Sequence, residues 1–226
     1  MASIAALMAD PTRAEMLIAL MDGRAFPASE LASIAHVSPS TASHHLSCLV
    51  QGGLVEVIES GRHRYHRLAG RQVADVIEAM GVLVRPERPS RKLSAHAASL
   101  AGCRTCYDHL AGKLGVELRM RLLERGILFE DGDRYGISGR GEAFLSEFGI
   151  DVEDLRRSKR QLSKACLDWT ERVPHIGGAL GAALYQRLTG RGWLIPGALP
   201  RSLVVTPIGS ECLETTFGIC REQTSK

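Results

Sequence analysis

Apolar residues first recur along the chain at a helical period. Ile4, Leu7 and Met8, then Met16, Leu17, Leu20 and Met21, predict a helix over residues 3–21. Asp10-Pro11 divides it, with Asp10 placed to cap a second helix, Pro11 to open it and Asp22-Gly23 to close it. Pro27-Ala-Ser29, with Ser29 as the cap, starts a helix of barely two turns through Leu31, Ala32, Ile34 and Ala35. His36-Val37-Ser38-Pro39 makes a tight turn. Ser38 then caps a helix from Pro39 to Gln51, which puts Ala42, Leu46 and Leu49 or Val50 on one face and stops at Gly52-Gly53. The pattern becomes strand-like in Leu54-Val55-Glu56-Val57-Ile58 and in Tyr65-His66-Arg67-Leu68. The Gly-containing segment 59–64 joins these two runs into a β-hairpin. Helical spacing returns over 70–84 through Val73, Val76, Ile77, Met80 and Leu83 or Val84.

Residues 85–91 carry two prolines, three arginines and no apolar side chain, which reads as a linker. The expected organisation is one domain over 1–84, a linker over 85–92 and a second domain over 93–226. The second half contains an internal echo. Arg125-Gly-Ile-Leu-Phe129, Arg134-Tyr-Gly-Ile-Ser138, Gly141 and Phe148-Gly-Ile150 recur in order as Arg191-Gly-Trp-Leu-Ile195, Ser202-Leu-Val-Val-Thr206, Gly209 and Phe217-Gly-Ile219. Each copy predicts a hairpin followed by a helix. The fold class is therefore mainly α with small β-hairpins: an N-terminal winged helix-turn-helix domain, then a helical C-terminal domain containing two hairpin-plus-helix units.

Composition narrows this picture. The 226 residues are 45% hydrophobic and 23% charged, enough for two cored domains. No apolar run approaches the ~18 residues of a membrane span, and the N-terminus lacks the basic region of a secretory signal. A cytoplasmic location is expected, and there the six cysteines suit thiols or metal ligands better than a disulfide framework. Net charge is only +3, but Arg62, His63, Arg64, His66, Arg67 and Arg71 crowd one stretch, with Arg85, Arg88, Arg91 and Lys92 beyond it. A local basic stripe on a near-neutral chain suits contact with phosphates, or else forms a solvated face.

The order of short helix, turn, polar helix, Gly-Gly and basic-tipped hairpin decides between those readings. A helix fills the major groove of double-stranded DNA, and its early residues reach base edges. Ser38, Ser40, Thr41, Ser43, His44 and His45 are the expected contacts from that helix, and Arg62, His63 and Arg64 those from the hairpin tip. Ala9-Asp-Pro-Thr-Arg13, Glu30-Leu-Ala, Ser38-Pro-Ser-Thr-Ala-Ser-His-His-Leu46, Gly53-Leu-Val and Arg64-Tyr-His-Arg-Leu68 together resemble the ArsR/SmtB family of bacterial transcriptional repressors. The resemblance covers residues 3–84, and it implies a DNA-binding and dimerisation domain over 1–84 with a sensor domain over 93–226. It implies a homodimer formed through the first helix and the helix at 70–84, an inverted-repeat operator, and release of DNA when an inducer binds. Two-fold symmetry would set the recognition helices about 34 Å apart.

The family's metal sites do not carry over. The helix at 30–35 has no cysteine, the helix at 70–84 has Asp75 and Glu78 but no histidine, and near the recognition helix only Cys48 is present. A different set stands in the second half. Cys103, Cys106 and His109 would share a face of a helix at i+3 steps. Cys166 and His175 could complete a thiolate/imidazole site for zinc, cadmium or a trivalent arsenical. The alternative is packing, since Cys166 also has helical core spacing with Leu162 and Trp169. Cys103-x-x-Cys106 as a thiol-disulfide oxidoreductase would need a preceding strand, and Ala95–Leu100 reads as helix, so no enzyme is expected. A sequence-tolerant architectural DNA binder is the other alternative.

Overall fold

The computed structural model describes residues 2–21, 24–83 and 100–220. The linker expected at 85–92, with its four basic residues, and the closing pair Asp22-Gly23 lie outside the described residues. The chain forms two compact units, Met1–Gly81 and Val82–Lys226.

In the first unit, α1 (Ala2–Met8) and α2 (Pro11–Leu20) divide where expected, and Asp10 Oδ1 accepts the Arg13 N–H at 2.9 Å. The strand β1 (Phe26–Pro27), helices α3 (Ala28–Ile34) and α4 (Pro39–Gln51), strands β2 (Val55–Ser60) and β3 (His63–Leu68), and helix α5 (Arg71–Leu83) follow. Ser29 is not the cap of α3. Pro27 holds that position without a side-chain bond, because Phe26-Pro27 is extended against β3, opposite His66 and Tyr65, and feeds directly into the helix. The left-handed backbone of the helix-turn-helix corner falls on His36 (φ 53°). Ser38 caps α4, its Oγ accepting the Thr41 N–H at 3.2 Å. The wing is tighter than the sequence suggested. Ser60 pairs with His63, which leaves only Gly61-Arg62 to turn, with Gly61 at φ 59°. Met16, Leu17, Leu20, Leu31, Leu46 and Leu49 are buried and bind α2, α3 and α4 into one core.

The second unit repeats one motif twice. A hairpin, β4 (Arg104–Cys106) with β5 (His109–Ala111), leads into α6 (Gly112–Glu124). A second hairpin, β6 (Leu128–Asp131) with β7 (Arg134–Ile137), leads into α7 (Gly139–Phe148). After a short α8 (Val152–Arg157) the order returns. Strands β8 (Lys164–Leu167) and β9 (Pro174–Gly177) precede α9 (Gly178–Gly190), and β10 (Leu194–Pro196) and β11 (Leu203–Val205) precede α10 (Pro207–Phe217). The two hairpin-plus-helix units read from the sequence are the later half of each copy. Their equivalence extends to single atoms. Ser138 Oγ accepts the Gly141 N–H at 2.9 Å, and Thr206 Oγ1 accepts the Gly209 N–H at 3.0 Å. A Cβ on Gly141 would meet the Ile127 carbonyl oxygen at 2.1 Å, and one on Gly209 the Trp193 carbonyl oxygen at 2.2 Å, so each helix starts against the residue that leads into its hairpin only as glycine.

The earlier half of each copy corrects the sequence reading. The segment from Cys103 to His109 is not a helix, and neither is the segment from Cys166 to His175. Both form hairpins, whose backbone bonds pair across a turn while each packs against the helix of the opposite copy, His109 beside Gly181 and His175 beside Gly115. The hairpins also join the copies crosswise. The Thr105 N–H donates to the Arg201 carbonyl at 2.9 Å, and the Ala165 N–H to the Asp133 carbonyl at 2.8 Å. A single apolar cluster including Leu114, Leu122, Phe148, Leu180, Trp193 and Phe217 runs through both copies.

Candidate DNA interface and metal centre

Helix α4 presents its apolar side to the core and a row of small polar groups to solvent. Ser38, Ser40, Thr41, Ser43 and His44 are exposed. The hydroxyls of Ser38, Ser40 and Thr41 form one cluster, with Ser38 Oγ 2.9 Å from Ser40 Oγ and 2.8 Å from Thr41 Oγ1. The Ser43 hydroxyl donates back to the Pro39 carbonyl at 2.9 Å. His45 departs from the expected set: its ring is largely covered, with Nδ1 3.6 Å from Asp10 Oδ1, because its side of α4 faces the start of α2. Arg62, His63 and Arg64 are exposed at the wing tip. The rest of the basic stripe is occupied differently. Arg67 pairs with Glu56 across the hairpin, Arg71 Nε lies 3.9 Å from Asp75, and His66 is buried. Burial holds the His66 pKa below its ordinary value, partly offset by a hydrogen bond with the Phe26 backbone.

In the second unit, Cys106 stands opposite His109 across β4–β5, and Cys166 opposite His175 across β8–β9. The two cross-strand pairs face each other. The sulfurs of Cys106 and Cys166 are 3.8 Å apart and the Nε2 atoms of His109 and His175 are 3.1 Å apart. One donor atom from each of the four lies within 4.8 Å of all the others, and all four residues are buried. Glycines permit the approach. A Cβ on Gly181 would sit 3.2 Å from His109 Cβ and 2.2 Å from the Ile176 carbonyl oxygen, and one on Gly115 would sit 2.7 Å from the Leu110 carbonyl oxygen. Cys103, the fifth residue of the expected set, is outside this group. It precedes β4 and packs in the apolar core.

The sequence reading missed the charged surroundings. His109 Nδ1 is 3.2 Å from Asp108 Oδ1, and Arg160 holds Asp108 through both its oxygens, at 2.5 and 2.9 Å. His175 Nδ1 is 3.1 Å from Asp168 Oδ2, an ion-pair contact without the alignment of a hydrogen bond. Asp168 in turn accepts from Arg104 at 3.0 Å and from the Gly112 N–H at 2.7 Å, and the Arg104 guanidinium lies over the Trp169 ring. The signal was present in the chain: Cys106-Tyr-Asp108-His109-Leu-Ala-Gly112 and Cys166-Leu-Asp168…His175-Ile-Gly-Gly178 share Cys-x-Asp and a His three residues before a glycine.

Electrostatics follow from this packing. Burial pushes the Asp108 and Asp168 carboxyls up, but the neighbouring histidines and arginines outweigh it and hold both well below the usual carboxylate range. The Cys166 thiol is pulled down strongly by its contact with Cys106 and by hydrogen bonds from His109 and His175, against the opposing effect of burial. For His175, burial favours the neutral ring, yet Asp168 and Cys166 raise its pKa to about 9. The group therefore favours thiolate sulfur beside cationic charge. Two cysteine sulfurs and two imidazoles converging on one point are a donor set for a soft or borderline metal ion. Cys166, His175 and Asp168 also have the composition of a nucleophile triad, but they are 7%, 0% and 0% exposed, which leaves the sulfur no open cleft for a bulky substrate.

Together these elements define a winged helix-turn-helix DNA-binding protein carrying a second, cysteine/histidine-centred unit. A family model described as a helix-turn-helix domain matches residues 8–58. Over 219 residues the chain is 40% identical to the uncharacterized HTH-type transcriptional regulator YdfF of Bacillus subtilis (strain 168), covering 96% of this chain and 97% of that protein. It is also 39% identical over 85 residues to the HTH-type transcriptional regulator CmtR of Mycobacterium tuberculosis, which covers 38% of this chain and 69% of that one. A solved homodimeric winged helix-turn-helix domain of Mb0332 from Mycobacterium bovis, a possible ArsR-family regulator, aligns over 36% of this chain and 75% of its own, at 30% identity and a TM-score of 0.35. The chain belongs to the ArsR family of helix-turn-helix transcriptional regulators. The curated relatives are transcriptional regulators, not enzymes. Among the described residues, no helix is long and apolar enough to cross a membrane.

Proposed function

We propose that this regulator is a cytoplasmic repressor that binds an inverted-repeat operator as a homodimer, and that a metal or thiol-reactive inducer acting at Cys106, His109, Cys166 and His175 releases it. The convergence of those four donors within 4.8 Å carries the inducer half of this reading. For the DNA half, Ser40, Thr41, Ser43 and His44 of α4 enter the major groove while Arg62, His63 and Arg64 of the wing meet phosphates, and Ser38 supports them as the cap. For the dimer, α5 supports pairing with a second copy: Ala74 and Glu78 are buried, whereas Val76, Met80 and Leu83 stay 46%, 46% and 81% exposed.

The test is binding of the full chain to promoter DNA by footprinting and fluorescence anisotropy, metal-free and after zinc or cadmium loading under reducing conditions. One protected palindrome is expected, with weaker binding after loading, and no response in the Cys106→Ser/Cys166→Ser variant. Equal affinity in the two states overturns the inducer role. Sequence-blind binding with a steep salt dependence overturns the operator and favours an architectural protein.

A further inference from the structure

Each half of the buried centre pairs a histidine with a carboxylate, and that carboxylate with an arginine. His109, Asp108 and Arg160 form one set, and His175, Asp168 and Arg104 the other. The two aspartates arise from the repeated Cys-x-Asp and occupy the same place in both copies. Their geometry has a consequence for the rings. With each Nδ1 within 3.2 Å of a carboxylate oxygen, Nδ1 is the nitrogen that keeps its proton when the ring is neutral, and the Nε2 lone pairs are the ones left to bind an ion. Those lone pairs are 3.1 Å apart, beside two sulfurs 3.8 Å apart, in a place closed to water. Protons shared between the two rings and between the two sulfurs join these contacts in the metal-free state, and a metal cation that displaces them gains all four donor atoms at once.

Resting on the metal reading above, we propose that the centre holds one four-coordinate divalent ion of the zinc class, through both sulfurs and both Nε2 atoms, and that Asp108 and Asp168 are the positioning residues that fix the rings in their donating orientation. Charge supports the valence. Each aspartate is balanced by its own arginine, so the two thiolates are the net negative charge that the ion must match. A monovalent soft ion leaves an uncompensated charge in a buried site. A trivalent arsenical prefers three sulfurs, and Cys103 lies outside the set. Two sulfurs and two nitrogens suit tetrahedral zinc and its spectroscopic substitute cobalt(II). Because the protein supplies four ligands, the ion acts by tying β4–β5 to β8–β9, the two copies of the repeat, and not by activating a substrate.

The experiment uses the full chain, purified anaerobically, stripped with a chelator and titrated with cobalt(II). The expected result is one equivalent bound, with the intense visible bands of tetrahedral cobalt and a thiolate charge-transfer band, both displaced by zinc. Asp108→Asn and Asp168→Asn are expected to weaken cobalt binding on the order of 10–100-fold and to shift the visible bands, with partial rescue by Asp108→Glu. Asp108 is partly exposed, so its variant keeps the test decisive if Asp168→Asn does not fold. No cobalt or zinc uptake overturns the metal reading itself. Uptake with a weak octahedral spectrum, or wild-type affinity and spectrum in the folded aspartate variants, overturns this proposal and leaves that reading standing.

Discussion

At the scale of single residues, the surface of α4 and the wing divides into groups that suit different parts of a DNA duplex. Ser43 and His44 are exposed and close to the start of α4, the part of a recognition helix that in the proposed reading reaches base edges. Arg62 and Arg64 project from the wing tip, and Arg64 has only a distant partner, with Glu59 4.0 Å away and both side chains exposed. Ser43→Ala and His44→Ala are therefore expected to cost about 1–3 kcal/mol on the operator while leaving non-specific DNA little changed. Arg62→Ala and Arg64→Ala should weaken all DNA alike and each reduce the salt slope by about 1. Anisotropy titrations on operator and scrambled duplexes at several salt concentrations separate the two patterns. Equal losses on both duplexes from the α4 variants would count against base readout by Ser43 and His44.

At the scale of elements, the wing depends on a histidine that the sequence presents as part of its basic stripe. His66 is 9% exposed and stands between β1 and β2, opposite Phe26 and Val57. Its depressed pKa means that the folded wing holds it neutral while the unfolded chain takes up a proton near pH 6.5. As pH falls through the window below about 6.5, the unfolded state binds more protons, so stability is present above that window and is lost on acidification. Thermal unfolding of the wild type and of His66→Gln across this range provides the check. The wild type should lose more stability than the variant between neutral and mildly acidic pH. Parallel slopes, or an NMR titration of His66 at its ordinary value, would remove the argument.

At the scale of the molecule, the proposed inducer and the operator bind different units, so their effects on each other obey linkage. If loading the Cys106/His109/Cys166/His175 centre weakens operator binding by some factor, the operator must weaken metal binding by the same factor. A coupling of about 1–3 kcal/mol, or roughly 5–150-fold, is the expected size. Chelator competition with and without saturating operator measures it. Unequal factors in the two directions would show that the metal exchanges with another process. An ion held as proposed would take its ligands from both copies of the repeat, so its loss would uncouple them.

The chain by itself determined the winged helix-turn-helix, because that information is local. Caps at Asp10 and Ser38, prolines at 11 and 39, the period of α4 and the change to strand patterning after Gly53 all act within a few residues. The echo between 125–150 and 191–219 was equally legible, since the same glycines make the same close contacts in both copies. The five metal candidates were legible in the sequence as residue types, and four of them belong to the buried group. Their arrangement was not. Cys103-x-x-Cys106 suggests a helical face, but Cys106 and His109 meet across a two-residue turn, and their partners stand about 60 residues away. His45 and His66 look like surface groups until α2 and β1 cover them. Only the tertiary structure decided those points, because burial and convergence depend on which distant segments pack together, and the pairing of the two copies has no short-range signature.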